Sequence, residues 1–411
     1  MRLAGSAGLE PGLDRWLRTG DTLLVGTGVG EPSGLIDELC EIAGAVGHVR
    51  AIQVMSGSAE KLADASGAAL RLVTPVPGAK SRKAIAEGRA ELLPWRMSRI
   101  LDSILDGSLR IDGILLQGRA LDERHATTGL IADVMRPAWD RARFRAIELN
   151  DRLPRIASET LRLDTADYVL HRNALPTELP PDPISDLAIA IAEHIAEVVP
   201  DGATIELGVG RALAAAADAL ARRRRDLAMH TGIVGNAAMR LIQAGCVCRA
   251  ISGKAVAVGA TAMGTREFYT WADENESIAL VDSRRAHRPE VLAATPRFCA
   301  INSALQVDLA GNVNSMVHRG KVVGGIGGGG DFAEGGTRGE ASVIALFATT
   351  RDGASTIVPE AEAVSISCEH VTHVVTEYGI ARLRGLSRAE RARALVPLAA
   401  PQHRAALAAA I

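Results

Sequence analysis

A run of glycines is the first feature of the chain that bears on chemistry. The stretch KVVGGIGGGGDFAEGG, Lys321 to Gly336, places six glycines among the seven residues from Gly324 to Gly330. Glycine loses more conformational freedom on folding than any other residue, and its backbone can approach another group closely because it has no side chain. The run is therefore typical either of a flexible linker or of a loop whose backbone contacts a bound group.

Two shorter glycine motifs have the spacing of an anion-binding turn. A GxG motif follows the apolar segment DTLLV at Gly26, and another, Gly208 and Gly210, follows ATIEL. Amphipathic helical patterns come directly after both turns. Glu31 and Leu213 stand where the dinucleotide-binding fingerprint has its third glycine. The motifs indicate either an anion held by the first amides of a helix or tight turns between strand and helix.

The elements that carry these motifs alternate between strand and helix. Short apolar segments such as VRAIQVMSG, IDGILLQG, ESIALVDS and ASVIALFATT predict an α/β fold with a parallel, doubly wound sheet in each half. Four prolines in Leu175–Asp186 interrupt helix and strand alike, so we expect two domains, residues 1–180 and 181–411. Both halves open with helix, turn, strand, GxG and helix, which indicates a weak internal duplication.

Composition excludes several classes of function. With 411 residues, 47% hydrophobic and 23% charged, and a net charge of −2, the chain is typical of a soluble globular protein without a basic field for nucleic acid or membrane. No apolar run approaches the ~20 residues of a membrane helix, and the N-terminus lacks a signal pattern, so we expect a cytoplasmic protein. We interpret the five cysteines as buried or free thiols, and their spacing predicts no metal site.

Taken together and in order, the motifs resemble those of the acetyl-CoA hydrolase/transferase family, which includes the 4-hydroxybutyrate CoA-transferases. The matching stretches span nearly the whole chain and are GDTLLVGTGVGEP, RKAIAEGRAELLP, DGATIELGVG, the HTG…LIQAG segment from His230, MGTREFY, INSALQVDLAGNVNS, GGIGGGGDF and VVTEYGIARLRGLSRAERARALVPLAAPQHR. The order INSALxVDLxGxVN, GGxGDF and TEYGxAxLRG is the most specific part, because it is hard to assemble by chance.

The resemblance implies two CoA-transferase-type α/β domains with mainly parallel sheets, an active site between them, and a homodimer. Coenzyme A is the implied ligand, as an acyl-CoA thioester, with water or a small-molecule acceptor as the second substrate and no metal. The amides of Gly327 and Gly328 would lie near the thioester carbonyl, where fixed N–H donors stabilise the negative charge that develops on its oxygen. Asn302 matches the family asparagine that helps to form the oxyanion hole. The implied CoA-binding residues are Gly208, Gly210, Gly325 and Gly330.

The family nucleophile is missing at its aligned position. Family members use a glutamate that attacks the thioester and then carries CoA as a glutamyl thioester. In an alignment without gaps from Tyr269 to Asn302, this glutamate falls on Ala279, whose methyl group cannot act as a nucleophile. Glu274, Glu276 and Asp282 remain candidates for a shifted carboxylate, although Glu276 would need a three-residue slip that moves its side chain to the opposite face of a strand.

Other positions that contact the acyl group in the family also differ here. Gln306 replaces a second carboxylate, and Thr231-Gly232 replaces the usual SE pair after the histidine. The EHG motif of the first domain has become Glu123-Arg124-His125. The glycine loop, Asn302 and the TEYG segment remain, so the changes are concentrated around the acyl group.

Two classes of function follow from this pattern. The first is an acyl-CoA hydrolase or transferase in which water or a second substrate attacks the thioester directly, without a glutamyl-CoA intermediate, with His125 or His230 as the base. The second is a non-catalytic acyl-CoA-binding protein with an inherited pocket. A conventional carboxylate CoA-transferase is a third possibility and requires a shifted glutamate. Turnover of an acyl-CoA with release of free thiol separates the first from the second.

Overall fold

The computed structural model describes residues 12–411, and the first half of the chain is built on one large sheet. Its strands form from short apolar runs, most of them buried, as expected for a parallel sheet covered on both faces. The strands of this half are β1 (Thr22–Val25), β2 (Val49–Ile52), β3 (Leu70–Thr74), β4 (Glu91–Leu92), β5 (Gly113–Ala120), β6 (His125–Thr127), β7 (Phe144–Asn150), β8 (Thr160–Arg162) and β9 (Tyr168–Arg172). Its helices are α1 (Ser33–Val46), α2 (Lys61–Ala65), α3 (Ala79–Ala86), α4 (Met97–Asp106) and α5 (Met135–Arg141).

The second half contains another large sheet and two small ones. Its strands are β10 (Thr204–Leu207), β11 (Ala228–Val234), β12 (Ala257–Ala262), β13 (Ile278–Leu280), β14 (Phe298–Ser303), β15 (Gln306–Asp308), β16 (Val313–Asn314), β17 (Val317–His318), β18 (Lys321–Val322), β19 (Ala341–Ala345), β20 (Ile357–Val358), β21 (His373–Thr376) and β22 (Gly379–Arg382). Its helices are α6 (Asp186–Val198), α7 (Ala216–Arg223), α8 (Asn236–Gln243), α9 (Arg266–Ala272), α10 (Ser283–Ala286), α11 (Pro289–Ala294), α12 (Gly329–Arg338), α13 (Arg388–Leu395) and α14 (Pro401–Ala408). Short 3-10 helices occur at Leu13–Arg15, Gly28–Gly30, Leu163–Thr165, Arg211–Leu213, Cys368–His370 and Val396–Leu398.

The two large sheets have the same strand order. In the first, β4-β3-β2-β1-β5-β7-β9 is parallel throughout, and β6 and β8 add antiparallel pairing at the end of β5. In the second, β13-β12-β11-β10-β14-β19-β21 is parallel, and β22 is an antiparallel edge strand. The predicted α/β class with two domains and mainly parallel sheets is confirmed, and the shared order supports the internal duplication.

Both GxG turns lie at carboxyl ends of parallel strands. The first turn begins at Gly26, directly after β1, and the second begins at Gly208, directly after β10. Gly28 and Gly210 have φ angles of +55° and +130°, a region that non-glycine residues rarely adopt. The sequence therefore placed these turns correctly at the edge where open α/β sheets bind ligands.

The proline-rich segment connects the two large sheets. No helix or strand occurs in residues 173–185, and α6 begins directly afterwards. The Ser185 hydroxyl caps α6 by accepting a hydrogen bond from the Ala188 amide at 3.2 Å. The boundary between residues 180 and 181 lies within this segment and remains our proposed division of the chain.

Backbone hydrogen bonds join the two halves. The Ala132 amide donates to the Ala260 carbonyl at 2.8 Å, and the Leu280 amide donates to the Ala157 carbonyl at 2.7 Å. The largest buried apolar cluster also contains residues of both halves, among them Ile131. The second half of β12 and the end of β13 are thereby fixed against the first half.

A carboxylate from the second half caps a helix of the first half. Asp331, near the start of α12, accepts hydrogen bonds from the Ser98 amide at 2.9 Å and the Ser98 hydroxyl at 2.6 Å. Ser98 lies in the first turn of α4, where amide groups lack partners within the helix. The Arg96 guanidinium lies 3.3 Å from the same carboxylate. Asp331, the aspartate of the GGIGGGGDF stretch, therefore holds the halves together.

Two expectations from composition concern thiols and membranes. All five cysteines are free thiols, and Cys246 and Cys299 are buried. Among residues 12–411, no helix combines the length and apolar character required to cross a membrane.

Candidate active site

A cavity of about 350 Å³ lies between the two halves. Many of its wall residues come from the carboxyl edges of both large sheets, which is where open α/β sheets bind ligands. The first half contributes residues that follow β1, β2 and β3, namely Thr27, Met55 and Val76. The second half contributes residues at the ends of its central strands, namely Gly208, Gly232, Thr261 and Asn302.

The glycine run is a packed loop between β18 and α12. Gly325, Gly327 and Gly328 lie on the cavity wall. Gly327 has a φ angle of +54°, which favours glycine. A Cβ atom on Gly325 would lie 1.8 Å from the Pro75 carbonyl oxygen, so the loop backbone is in direct contact with the first half. The run is a structured loop, which rules out the linker interpretation.

The glycine loop ends at the N-terminus of α12. Gly328 is the N-cap residue, and Gly329, the first helical residue, also lines the cavity. The first amides of a helix have no partners within the helix, and they carry the positive end of its dipole. The cavity wall therefore presents N–H donors and partial positive charge to any oxygen that becomes negative there.

Asn302 is hydrogen bonded to a buried carboxyl group on the neighbouring strand. Glu206, in β10, accepts a hydrogen bond through Oε2 from the Asn302 side-chain amide at 3.1 Å and from the Ile301 amide at 3.2 Å. Glu206 is 2% exposed and lies on the cavity wall. Burial raises the pKa of Glu206 to about 8, while the hydrogen bonds from Ile301 and Asn302 act in the opposite direction.

Two further titratable residues lie on the cavity wall. Burial lowers the pKa of His287 to about 3, and its Nδ1 atom lies 3.1 Å from the Ser283 hydroxyl. Asp133, from the first half, is buried, and this burial raises its pKa to about 7. His287 is therefore neutral at physiological pH, whereas Asp133 is divided between its two protonation states.

The two histidines that the sequence suggested as bases lie away from the cavity wall. His125, in β6, has its Nδ1 atom 3.0 Å from the Asp122 carboxylate on the surface of the first half. His230, in β11, is buried, and its Nε2 atom lies 3.1 Å from the Arg285 carbonyl oxygen. Burial lowers the pKa of His230 to about 4. Neither ring lines the cavity, so neither has the position that a base requires.

Ala279 lies one strand away from the cavity wall. It pairs with Val258 in the parallel ladder between β12 and β13, so both side chains point to the same face. Ala260, two residues after Val258, shares that face and lines the cavity. Ala279 itself does not line the cavity and packs against the small apolar cluster that contains Val258 and Ala260.

The three candidates for a shifted nucleophile do not line the cavity. Glu274 is exposed and ion paired with Arg155, and Glu276 is exposed and ion paired with Lys254. Asp282 is buried, but its carboxylate caps α10 and pairs with Arg284. All three carboxylates are engaged elsewhere.

The remaining residues that the sequence predicts for the site do not line the cavity. Gly210 and Gly330 do not line the cavity: a Cβ on Gly210 would lie 2.9 Å from the Ser303 hydroxyl, and Gly330 is buried in the first turn of α12. The Gln306 side chain also lies outside and donates to Glu362 at 3.2 Å. Of the seven predicted site residues, the cavity therefore brings together Asn302, Gly208, Gly325, Gly327 and Gly328.

Sequence reasoning missed Glu206, Asp133 and His287. A signal for Glu206 was present, because TIEL places one carboxylate inside a buried four-residue strand directly before a GxG turn. An acid in that position needs an explanation, since burying an unpaired charge is costly. Nothing in the local sequence distinguished His287, whose burial depends on Phe332 at a ring-centroid distance of 5.1 Å. Within residues 12–411, no cluster of three or more metal-ligating side chains was found.

Comparison with known proteins identifies relatives over most of the chain. Residues 264–411 match the acetyl-CoA hydrolase/transferase C-terminal domain. The chain is 30% identical to the 4-hydroxybutyrate coenzyme A transferase of Clostridium kluyveri, over 80% of this chain and 79% of that protein. It is also 30% identical to the succinyl-CoA:acetate/propanoyl-CoA:succinate CoA transferase of Fasciola hepatica, over 95% of this chain and 84% of that protein.

A solved structure has the same architecture. The crystal structure of RipA from Yersinia pestis superposes with a TM-score of 0.86 at 25% identity. The superposition covers 96% of this chain and 94% of that one. The arrangement of both halves is therefore shared with a known protein.

Proposed function

Because the chain belongs to the acetyl-CoA hydrolase/transferase family, we propose that it is an acyl-CoA hydrolase or acyl/CoA transferase whose thioester lies in the cavity between the halves. The thioester carbonyl is attacked directly, and no glutamyl-CoA intermediate forms. One observation carries this proposal: the glycine loop faces the cavity, while the position aligned with the family nucleophile holds Ala279.

The glycine loop supplies the oxyanion hole in this proposal. Gly327 and Gly328 line the cavity at the positive end of α12, and their amides carry no side chains that would hold a ligand away. Attack on a thioester places negative charge on the carbonyl oxygen, and preorganised N–H donors stabilise that charge without reorganisation. The Asn302 side chain lies on the same wall, and the amide hydrogen that is not donated to Glu206 provides a further neutral donor.

Coenzyme A enters along the second GxG turn in this proposal. Gly208 and Val209 line the cavity, and Val209 is 58% exposed, which marks the cavity mouth. An exposed apolar side chain at the cavity mouth can pack against the apolar part of a pantetheine arm, which has both polar and apolar surface. Gly210, Gly325 and Gly330 complete the CoA-binding set by keeping the turn and the loop free of side chains.

The vacant nucleophile position favours direct attack. No carboxylate of β13 or its flanking residues lines the cavity, since Glu274, Glu276 and Asp282 are all engaged by cations elsewhere. Water or the nucleophile of a second substrate can then approach the carbonyl carbon.

Turnover and trapping test this proposal together. The purified chain is mixed with acetyl-CoA or butyryl-CoA, and release of free thiol is followed with a thiol reagent. Parallel samples receive borohydride after the thioester, because borohydride reduces a glutamyl thioester and inactivates the enzyme. We expect thiol release, with activity and intact mass unchanged by borohydride. The Ala279→Glu variant provides a matched control that carries the missing carboxylate.

Two results would contradict the proposal. Binding of acyl-CoA without any turnover would assign the chain to the non-catalytic class. Mass spectrometry that finds CoA attached to Glu274, Glu276 or Asp282 would instead make it a conventional carboxylate CoA-transferase.

A homodimer and a cytoplasmic location complete the proposal. The dimer rests on family resemblance, and the location is supported by five free thiols. Sedimentation velocity measures the first, since a monomer at micromolar concentration would contradict it.

A further inference from the structure

Glu206 is an acid without a cationic partner on the wall of the cavity. It is 2% exposed, and none of the ion pairs among residues 12–411 includes it. Two other deeply buried carboxylates have such partners, since Glu148 lies 3.5 Å from Arg172 and Asp331 lies 3.3 Å from Arg96. Asp133, on the same wall, shares with Glu206 the lack of an ion pair among residues 12–411. A buried acid with a perturbed pKa that lines a cleft is a candidate for chemistry.

The structure fixes the orientation of the Glu206 carboxyl group. Its Oε2 atom accepts from the Ile301 amide at 3.2 Å and the Asn302 side chain at 3.1 Å, both from β14. Within the described part of the chain, no protein donor binds the other oxygen, Oε1. One carboxyl oxygen is therefore anchored, and the other is free to take a proton from a molecule in the cavity.

Asn302 connects this carboxyl group to the glycine loop. A Cβ on Gly329 would lie 3.3 Å from the Asn302 Oδ1 atom, so the asparagine spans the space between Glu206 and the start of α12. A thioester carbonyl held by the amides of Gly327 and Gly328 would lie in the same cavity that the Glu206 carboxyl group lines. A general base must lie within hydrogen-bond reach of the proton that it removes, directly or through one water.

We propose that Glu206 is the general base of this site and that the acyl acceptor is a protic nucleophile, with water as the first candidate. This inference rests on the proposed function. A free carboxylate acceptor is already anionic and needs no base, whereas water does. The assignment therefore favours hydrolysis over transfer of CoA between acids.

The reaction balances with the residues present. Glu206 Oε1 removes one proton from water while the water oxygen bonds to the thioester carbonyl carbon. The carbonyl electron pair moves to its oxygen, beside the amides of Gly327 and Gly328. When the carbonyl re-forms, the carbon–sulfur bond breaks, and the proton on Glu206 passes to the departing thiolate. The products are a carboxylic acid and the CoA thiol, and Glu206 is again ionised.

The other titratable groups around Glu206 do not prevent it from acting as the general base. His230 on β11 and His287 after α10 are both neutral, because burial lowers their pKa values to about 4 and about 3. Asp331 on α12 is bound to Ser98. Asp133, whose pKa is raised by burial to about 7, is the competing candidate on the wall. The pKa of Glu206 is raised to about 8, close to the ~8.5 of a thiol, so proton return to the sulfur is nearly balanced.

Glu206→Gln tests the assignment with a side chain of the same shape. The glutamine oxygen still accepts from Ile301 and Asn302, so the wall keeps its geometry while the base is lost. With acetyl-CoA, we expect kcat to fall by about 10²–10⁴ with KM changed by less than about threefold. In the wild type, kcat/KM rises with pH toward a plateau above about 8; this dependence disappears in the variant.

Glu148→Gln is the matched control, because Glu148 is equally buried but lies outside the cavity. It should keep the pH dependence and a kcat within about threefold of wild type. Asp133→Asn is measured alongside: loss of the pH dependence in Asp133→Asn with its retention in Glu206→Gln would assign the base to Asp133 and overturn the inference. An acyl group or CoA on the Glu206 peptide would also overturn it, since Glu206 would then be a nucleophile.

The outcomes separate this inference from the proposed function. If the wild type releases thiol and Glu206→Gln is equally active, only the role of Glu206 fails. Efficient transfer of CoA to acetate, without hydrolysis, would refute the protic acceptor while leaving an acyl-CoA enzyme. If the wild type turns over no acyl-CoA, both proposals fail.

Discussion

Gly328→Ala is expected to destabilise the protein because its added Cβ has no room. The atom would lie 2.8 Å from His287 Cδ2 and 2.9 Å from Phe332 Cε2, and both rings are almost fully buried. Gly328 has a φ angle of −86°, so backbone strain contributes nothing. Overpacking of this kind costs about 1–3 kcal/mol, of which about 0.4–1 kcal/mol is offset by the reduced freedom of the unfolded chain. We therefore expect a net loss of about 1–2 kcal/mol.

Gly330→Ala provides the matched control two residues further along, in the first turn of α12. A Cβ there would meet its nearest atom, the Ser365 carbonyl oxygen, at 3.7 Å, which is an ordinary contact. Alanine is the better helix former by roughly 1 kcal/mol, so this variant should be as stable as wild type or more stable. The two variants thus make the same chemical change with opposite expected signs.

Differential scanning calorimetry measures the contrast. At roughly 1 °C per kcal/mol for a cooperative unit of about 400 residues, Gly328→Ala should lower the transition temperature by about 1–2 °C while Gly330→Ala leaves it level or raises it. Thioester turnover should fall according to how far the added Cβ displaces the loop amides. The upper limit is the loss of one oxyanion donor, which lowers kcat by about 10²–10³-fold. Equal transition temperatures for the two variants would refute the packing of Gly328 against His287 and Phe332.

Four further predictions concern other parts of the site. Burial holds the pKa of Glu206 above its ordinary ~4.3, so the folded state retains the proton more tightly and the protein loses stability as pH rises from that value to about 8. Urea unfolding should therefore show that the free energy of unfolding of Glu206→Gln, relative to that of wild type, increases between pH 5 and pH 8 by an amount on the order of a few kcal/mol. A difference between the two proteins that does not change with pH would contradict the burial effect. Asn302→Ala removes a hydrogen bond that lowers the pKa of Glu206, so the rise of kcat/KM should move to higher pH, and an unshifted profile would show that the two side chains are not coupled. Ala279→Glu should introduce borohydride-sensitive transfer of CoA to acetate if the new carboxylate reaches the cavity edge, which peptide mass spectrometry can locate. Asp331→Ala should cost about 1–3 kcal/mol in urea unfolding because it leaves the buried Ser98 amide and hydroxyl without their acceptor, while Arg96 keeps Glu334 as its partner. Loss of the exposed Ser387 cap in Ser387→Ala should cost ~1 kcal/mol.

The fold was predictable because its signals are local. Each parallel strand is a short apolar run followed by a glycine turn and an amphipathic helix, and this pattern needs no knowledge of distant contacts. The four prolines before Asp186 identified the connecting segment for the same reason, since proline blocks helix and strand wherever it occurs. The positions of Gly208 and Asn302 followed from their motifs.

The side chains that line the cavity and their protonation states were less predictable, because these side chains are brought together from distant parts of the chain. The place of Gly325 in the site follows from contact with Pro75, and the neutral state of His287 follows from burial beside Phe332. Neither contact leaves a mark in the local sequence. His230 was expected to act as a base on the strength of its residue type, but the structure orients its ring toward the Arg285 carbonyl. Glu206 could have been identified by asking why a buried strand contains an acid.

The carboxylate that caps α4 has a consequence for how the chain can be divided. Asp331 lies in the helix that begins at the glycine loop, so the group that clamps the halves and the amides that face the cavity move as one unit. Cleavage within Leu175–Asp186 would leave α4 uncapped on one fragment and would remove the Pro75 support of the loop from the other. Neither fragment alone would contain a complete site. The rate recovered on mixing the two fragments at low concentration should therefore grow with the product of their concentrations, as in a bimolecular reassociation.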